Sequence, residues 1–140
     1  MELKIKKVRS EARLPQYGHP GDAGLDLFSA VDHELKPGSL YAVPTGIQTA
    51  IPSGFVGLIW DKSGLSLQGV HRLAGVVDSG YRGEIQVVLV NLGSETFRVK
   101  QGMKIAQMLL QEVTVVSVVE ADELDETPRG EGGFGSTGLY

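Results

Sequence analysis

The sequence contains no cysteine among its 140 residues. This absence excludes disulfide bonds, thiolate metal sites and a cysteine nucleophile. Basic residues are also few: 13 Lys and Arg stand against 17 Asp and Glu, which gives a formal net charge of −4 at pH 7. Binding to a nucleic-acid backbone is driven by an excess of Lys and Arg, so we expect no nucleic-acid partner.

Long hydrophobic runs are missing as well. The longest apolar stretches, around residues 87–90 and 113–119, are far shorter than the ~20 residues that a membrane-spanning helix needs. The opening MELKIKKVRS carries charges where a signal peptide has its apolar core. We therefore expect a cytoplasmic protein with no membrane partner.

What the sequence does contain is a series of short apolar runs between Gly and Pro residues. Hydrophobic residues make up 41% of the chain, enough at this length for one core. Turn residues recur at Pro20-Gly21, Pro37-Gly38, Pro52-Ser53-Gly54, Ser79-Gly80 and Gln101-Gly102. This spacing predicts an all-β sandwich or barrel, with a half-buried strand near residues 3–6 and a fully buried strand at 85–92. At most one or two turns of helix are expected near residues 63–68.

The composition changes near residue 121. Residues 121–126 are acidic, and residues 129–138 read RGEGGFGSTG, in which five of ten residues are glycine. Such a segment has too few apolar side chains to offset its ordering entropy, and one alternative is a disordered tail. Glycine amides, a guanidinium at Arg129 and a ring at Phe134 would also suit an arm that orders on a nucleotide. We divide the chain into a β domain at 1–120 and a linker with a closing arm at 121–140.

Two motifs in the first half of the chain could handle a phosphate. Asp26 lies in the apolar strand AGLDL, where a carboxylate is costly unless it is paired, hydrogen-bonded or near a cation. The run DKSGLS at 61–66 offers an ammonium from Lys62, the Ser63 hydroxyl and amides freed by Gly64. The order of its residues, Lys-Ser-Gly, differs from the order in a Walker loop. The alternatives are a capping Asp and an ordinary Ser-Gly turn.

Two motifs in the second half add candidate catalytic groups. In GVVDSGYRGE at 75–84, Asp78 ends an apolar run and could act as general base toward water, although an ordinary β-turn has the same residues. Arg82 and Glu84 are spaced to share a strand face and form a surface or interface ion pair. In GMKIAQM, Gln107 could bond a ligand through its amide or be an exposed strand residue. The three His residues show no metal-ligand spacing and receive no role.

Taken in this order, AGLDL, DKSGLS, GVVDSGYRGE, GMKIAQM and RGEGGFGSTG resemble the five ordered motifs of the trimeric dUTPase family, over about Leu3 to Gly138. The resemblance implies a jelly-roll-like β-sandwich or barrel with a flexible Gly-rich C-terminal arm. It implies a homotrimer with active sites at subunit interfaces. The implied activity is Mg²⁺-dependent hydrolysis of dUTP to dUMP and pyrophosphate, which limits dUTP and supplies dUMP for thymidylate synthesis.

The resemblance also implies the role of each catalytic residue. Asp78 matches the carboxylate that orients and deprotonates the attacking water, and Gln107 matches the glutamine near the α phosphate and this water. Asp26 matches the carboxylate that reaches the phosphate-bound Mg²⁺ through water. Tyr81 matches the ring packed under the deoxyribose, with which a 2′-hydroxyl would collide.

The substrate-binding residues are implied in the same way. They are Lys62, Ser63, Gly64, Arg72, Val77, Tyr81, Arg129, Phe134, Gly135 and Ser136. Lys62 stands where the family usually has Arg, so the charge is kept and the bidentate fork is lost. Main-chain groups of a hairpin at about residues 72–77 would read uracil. Arg129 would contact the γ phosphate, Phe134 would stack over uracil, and amides of residues 132–137 would surround the triphosphate.

Two other functions are disfavoured by particular residues. dCTP deaminase shares the fold, but it carries a catalytic Glu ten residues beyond the aspartate, where this chain has Val88. Because valine cannot transfer protons, deamination and the bifunctional deaminase are disfavoured. A non-catalytic regulatory protein on the same trimer is disfavoured because Asp78, Gln107 and the whole arm are present.

Overall fold

A computed structural model describes residues 1–138. Within them the chain forms twelve strands and one short helix, and all strand pairs are antiparallel. The elements are β1 Lys4–Lys7, β2 Gln16–Tyr17, β3 Leu25–Phe28, β4 His33–Leu35, β5 Leu40–Pro44, β6 Ile47–Ala50, β7 Phe55–Trp60, α1 Ser63–Ser66, β8 Val70–Leu73, β9 Val76–Val77, β10 Gln86–Asn91, β11 Phe97–Val99 and β12 Lys104–Glu112. The prediction of an all-β chain is confirmed, and so is the single helical turn near residue 63.

Two larger sheets and two ribbons surround one core. The sheets have the strand orders β5-β10-β8 and β2-β3-β12-β7-β9, and the ribbons are β1-β6 and β11-β4. Buried side chains from both sheets form a single cluster, in which Leu27, Leu89 and Met108 are at most 1% exposed. The predicted buried strand is β10, which lies between β5 and β8. Asn91 at its end is fully buried, and its amide is bonded to the Leu35 and Glu95 carbonyls and the Gly93 amide.

The prediction of a hairpin before Asp78 is wrong. Strand β8 pairs with β10 and strand β9 pairs with β7, so the chain crosses from one sheet to the other between them. Ala74 and Gly75 make the crossing with φ of 59° and 118°, which is the region where glycine is the least strained residue. The Arg72 guanidinium donates to the Ala74 carbonyl, and the Ile59 amide donates to the Gly75 carbonyl at 2.8 Å. These bonds hold the turn against β7.

The expected pairing of Arg82 with Glu84 is also wrong. Residues 81–85 lie outside the strands, so side chains two residues apart do not share a face there. The Arg82 guanidinium donates to the Ser79 and Tyr81 carbonyls at 2.7 and 2.8 Å. Glu84 pairs instead with Arg9, at 2.7 Å between Nε and Oε1.

A β-bulge in β12 determines which side chains face the candidate site. Lys104 pairs with Phe28 and Ala106 pairs with Leu27, which leaves Ile105 as the extra residue. Ile105 and Ala106 are both in the core. Lys104 and Gln107, three residues apart, consequently lie on the same outer face as Asp26.

Beyond β12 the described residues 113–138 contain no strand or helix, and all but half-buried Gly132 are exposed. The division at residues 120 and 121 stays a prediction, and residues 139–140 of the predicted arm lie outside the described part. No helix within residues 1–138 is long and apolar enough to cross a membrane.

Candidate active site

The centre of the first group of candidate residues is the carboxylate of Asp26. It is 2% exposed, and two ammonium groups approach it: Lys62 Nζ lies 2.6 Å from Oδ1 and Lys104 Nζ lies 2.7 Å from Oδ2. Only the Lys62 contact has hydrogen-bond geometry, so Oδ2 is a buried oxygen with an ionic neighbour but no aligned donor. One carboxylate between two ammonium groups leaves a local charge of +1, which suits an anionic ligand.

The two lysines determine the ionisation of this carboxyl. Burial is the largest single influence and by itself would raise the pKa of Asp26. The close contacts and positive charges of Lys104 and Lys62 together outweigh burial and hold the pKa below its usual value of 3.8. Asp26 is therefore ionised throughout the neutral range.

Replacing Asp26 with Asn is expected to destabilise the fold by about 1–3 kcal/mol at pH 7, the scale of hydrogen bonds to charged groups. Because the pKa of Asp26 is lower in the folded state than in the unfolded state, its contribution is present above the unfolded pKa. It is lost as the pH falls through the folded pKa. Denaturant unfolding between pH 7 and pH 3 should thus show a difference between wild type and variant that shrinks at the acid end. A pH-independent difference would contradict this assignment.

Gln107 is fixed beside this carboxylate. It pairs with Asp26 across β12 and β3, and its Nε2 donates to the Asp61 carbonyl at 2.8 Å. A Cβ at Gly24 would collide with the Gln107 amide oxygen. The glycine of AGLDL is therefore required for close approach of β3 to this side chain, and the amide has one orientation.

Lys62, Ser63 and Gly64 form the turn that leads into α1. Lys62 is the N-cap residue, and its carbonyl accepts the Leu65 and Ser66 amides at 3.0 Å. The amides of Ser63 and Gly64 come before the first hydrogen bond of the helix and have no intrahelical partner. Both residues are exposed, and a Cβ at Gly64 would meet nothing within 4 Å. The turn therefore offers two amides and a hydroxyl next to the lysine-bearing cluster.

Asp61 joins this turn to strand β8. Its carboxylate lies 2.6 Å from His71 Nδ1 and accepts a hydrogen bond from the Arg72 amide at 2.8 Å. Its backbone carbonyl accepts the hydrogen bond from Gln107 Nε2. The Arg72 guanidinium stacks over the Trp60 ring at 4.9 Å. The structure thus places the Arg72 side chain on Trp60 and the turn before β9.

The second group of candidate residues surrounds a small cavity beside Ile59 of β7. The cavity has a volume of about 210 Å³, and residues 74–78, Tyr81 and Glu84 are among those that line it. Asp78 follows β9 and begins a turn in which its carbonyl accepts the Tyr81 amide at 3.0 Å. The Asp78 residue is exposed in the single chain.

Val77 lines the same cavity. Its side chain is 8% exposed and belongs to the core. Strand β9 is the last strand of its sheet and pairs only with β7 within the described residues. The other edge of its main chain is consequently available to a ligand.

The two groups do not meet within one chain. Gly57 on β7 pairs with both Leu110 and Val77, so Asp78 lies two strands away from β12 and about four residues along from Gln107. With strands about 4.8 Å apart and a rise of about 3.3 Å per residue, the two Cα atoms are separated by roughly 15 Å. A general base must come within hydrogen-bond reach of the water it activates, directly or through one further water. Asp78 and Gln107 of the same chain cannot share one reacting phosphate.

The predicted arm makes hydrogen bonds only within itself in the described residues. Its amides form successive turns between residues 127 and 138, and Arg129 Nε donates to the Gly132 carbonyl at 3.0 Å. Phe134 is fully exposed and, like Gly135, has a positive φ, and Ser136 is exposed. The structure therefore does not bring Arg129, Phe134, Gly135 or Ser136 to either group.

Reasoning from sequence missed Lys104 and Asp61. The strand alternation of β12 gave no sign of the bulge that turns Lys104 toward Asp26. Asp61 was read as part of DKSGLS, but its partners His71 and Arg72 lie ten and eleven residues further on. The only feature of the sequence that could have indicated the pairing of Asp61 with His71 is that the two residues lie on either side of a Gly-containing segment.

The fold and these groups define an all-β protein with a buried carboxylate between two lysines, a fixed amide and a carboxylate-bearing turn, a combination suited to phosphorylated ligands. The dUTPase family model matches residues 10–138. Proteins described as deoxyuridine 5'-triphosphate nucleotidohydrolase match almost end to end. That of Clostridium kluyveri is 49% identical over 99% of both chains, and that of Alkaliphilus metalliredigens is 46% identical over 98% and 97%. The chain belongs to the dUTPase family.

Solved structures agree with this assignment. The Staphylococcus bacteriophage 80alpha dUTPase with dUpNHpp superposes with a TM-score of 0.93, at 27% identity and 99% coverage of both chains. A mutant dUTPase from phage phi11 of S. aureus, described with a structural Mg(II) ion, gives a TM-score of 0.82 at 25% identity, over 88% of this chain and 98% of that one. The predicted jelly-roll-like fold is confirmed.

Proposed function

We propose that this protein hydrolyses dUTP to dUMP and pyrophosphate, as a homotrimer and with Mg²⁺. The observation that carries the proposal is the identity of 46% and 49%, along nearly the whole chain, with proteins named for this activity. The catalytic residues implied by the resemblance, Asp78 and Gln107, are present, and Lys62 stands in place of Arg. A cytoplasmic location stays a prediction from composition.

The first group is proposed to hold the phosphates. Lys62 and Lys104 supply the positive charge, and the Ser63 and Gly64 amides supply donors that are not used within α1. Lys62 has a flexible stem and can exchange its bond to Asp26 for a bond to a phosphate oxygen. Its ammonium makes single bonds where a guanidinium would make a fork, so the contact depends on charge more than on geometry.

The second group is proposed to hold the nucleoside. The free edge of β9 and the preceding turn offer main-chain donors and acceptors in a fixed arrangement, with Arg72 and Val77 contributing through their backbone. The cavity, at about 210 Å³, is the size of a small ring system. The Tyr81 ring lies at one side of this cavity and provides the surface against which the sugar packs.

The proposed chemistry needs an aligned water and a base. Asp78 accepts a proton as the water oxygen bonds to the α phosphorus, and the bond from that phosphorus to the bridging oxygen breaks to release pyrophosphate. Gln107, whose Nε2 donates to the Asp61 carbonyl, keeps its amide oxygen available to accept a hydrogen bond from the water. No protein nucleophile is required.

Mg²⁺ fits the site only together with the substrate. Residues 1–138 contain no cluster of three or more acidic or His side chains that could hold a metal. Mg²⁺ usually keeps several waters and uses one or two carboxylates with substrate phosphates, and the Asp26 carboxylate with its unaligned Oδ2 is such a donor. When bound, the ion would neutralise charge on the phosphates.

A trimer is proposed because one chain does not complete the site. The separation of roughly 15 Å between Gln107 and Asp78, from strand spacing and rise, implies that these groups meet across a subunit interface. Apolar side chains are available to bury there: Val76 is 69% exposed and Trp60 is 49% exposed on the outer face of the larger sheet. Val115 and Val118, after β12, are 88% and 95% exposed. Exposed apolar surface of this extent indicates a partner surface.

A product assay tests the proposed function. Purified protein is incubated with dUTP or dCTP and Mg²⁺, and pyrophosphate and ammonia are measured separately. We expect pyrophosphate to be released from dUTP and not from dCTP. We also expect a strong loss of activity in excess EDTA. Ammonia from dCTP would establish the deaminase instead, and neither product would favour a non-catalytic protein.

Replacing Tyr81 with Ala is expected to admit UTP, because the ring that a 2′-hydroxyl would meet is removed. The ratio of kcat/KM for dUTP over UTP should fall by roughly 10², the scale on which an apolar surface discriminates a hydroxyl. Steady-state kinetics with both nucleotides measure the ratio. An unchanged ratio would show that the sugar is selected elsewhere.

A further inference from the structure

We propose that Gly83 and the Arg9–Glu84 ion pair are positioning residues for Tyr81, and that they contribute to selection against ribonucleotides. The inference rests on the proposed function. It concerns the segment between the Asp78 turn and β10, which contacts the Tyr81 ring on one side and the N-terminal segment on the other.

The Tyr81 ring folds back over its own chain. Its hydroxyl donates to the Glu84 carbonyl at 3.1 Å, and the ring passes so close to Gly83 that a Cβ there would collide with Oη and Cζ. Tyr81 is 47% exposed, so core packing does not fix its rotamer. The ring orientation therefore depends on the absence of a side chain at Gly83 and on the position of the Glu84 carbonyl.

Glu84 is held in place through its carboxylate and through the residue that follows it. The Arg9 guanidinium donates two hydrogen bonds to the carboxylate, from Nε to Oε1 at 2.7 Å and from a terminal nitrogen to Oε2 at 3.1 Å. The Gly46 amide also donates to Oε1, at 2.9 Å. The next residue, Ile85, donates to the Ile47 carbonyl at 2.8 Å and accepts the Thr45 hydroxyl at 2.6 Å. The segment is thus held against strands β5 and β6.

The ion pair is suited to a structural role at neutral pH. The hydrogen bond from Arg9 outweighs burial and, with the Gly46 amide, holds the pKa of Glu84 below its usual value. Bidentate Arg–carboxylate pairs carry geometric specificity as well as charge. Residues 9 and 84 are far apart in sequence, and Glu84 is also one of the residues that line the cavity of the second group.

The decisive variant is Gly83→Ala. Gly83 is not among the residues with positive φ, so alanine strains no backbone there and acts only on the Tyr81 ring. Gly80→Ala is the matched control, because Gly80 lies in the same turn, also lacks a positive φ, and a Cβ there would meet nothing within 4 Å. The ratio of kcat/KM for dUTP over UTP is expected to fall by about tenfold in Gly83→Ala. The control should match wild type.

A double variant separates positioning from general disturbance. In the Tyr81→Ala background, Gly83→Ala should leave the ratio unchanged, because the ring through which it acts is gone. Arg9→Gln and Glu84→Gln should shift the ratio in the same direction as Gly83→Ala. The control for these is Glu34→Gln, which breaks the exposed Arg98–Glu34 pair of 3.3 Å.

Two failures are distinguishable. A wild-type protein that releases no pyrophosphate from dUTP would overturn the proposed function. A wild type that is active, with ratios unchanged in Gly83→Ala and in Glu84→Gln, would overturn only the positioning role. Should Gly83→Ala fail to fold, the Arg9 and Glu84 variants decide the question alone.

Discussion

Replacement of Asp78 by Asn is expected to lower kcat for dUTP hydrolysis by about 10²–10⁴, the scale of general-base catalysis. The amide keeps the shape of the carboxylate and cannot accept the proton of the water. Affinity for dUTP should stay near that of wild type, measured with the non-hydrolysable analogue dUpNHpp. Stability should also be unchanged, because the residue is exposed and follows the end of β9.

The matched control for this variant is Asp122→Asn, which removes the same charge from the exposed linker. It should retain wild-type turnover. Near-normal kcat in a folded Asp78→Asn protein would remove Asp78 from its proposed role, and equal losses in both variants would point to net charge instead.

Truncation after Thr127 is expected to abolish most activity while leaving the fold intact. Residues 128–138 make their hydrogen bonds among themselves and contribute no buried side chain. The melting temperature and the oligomeric state should thus equal those of the full chain. On the proposed roles of Arg129 and Phe134, the truncated chain should not close its site on dUTP, and a loss of kcat/KM of at least about 10² is expected from lost positioning.

Mixed trimers show whose site the arm closes. The truncated chain and the full-length Asp78→Asn chain, carrying different tags, are co-expressed and the hybrids purified through both tags. An arm that serves the Asp78 of another chain should restore partial activity. Co-expression with a chain that carries both changes is the control and should restore none. Hybrids no more active than their parents, despite verified mixing, would mean that each arm serves the Asp78 of its own chain.

The sequence by itself determined the fold class and indicated the candidate residues of the site. Short apolar runs between Gly and Pro residues specify strands because the periodicity and the turn chemistry are local properties. The five motifs could be recognised for the same reason, since each is a contiguous run around a chemically distinctive residue such as Asp26 or Asp78. The free, glycine-rich arm also followed from composition.

The tertiary structure alone decided how these residues are arranged. The β12 bulge turns Lys104 toward Asp26, and no rule of alternation predicts where a strand gains a residue. The pairings of Asp61 with His71 and of Arg9 with Glu84 join segments whose contact depends on strand order. Strand order also separates Gln107 from Asp78 within the chain. Strand pairing is set by non-local packing, which one-dimensional patterns do not encode.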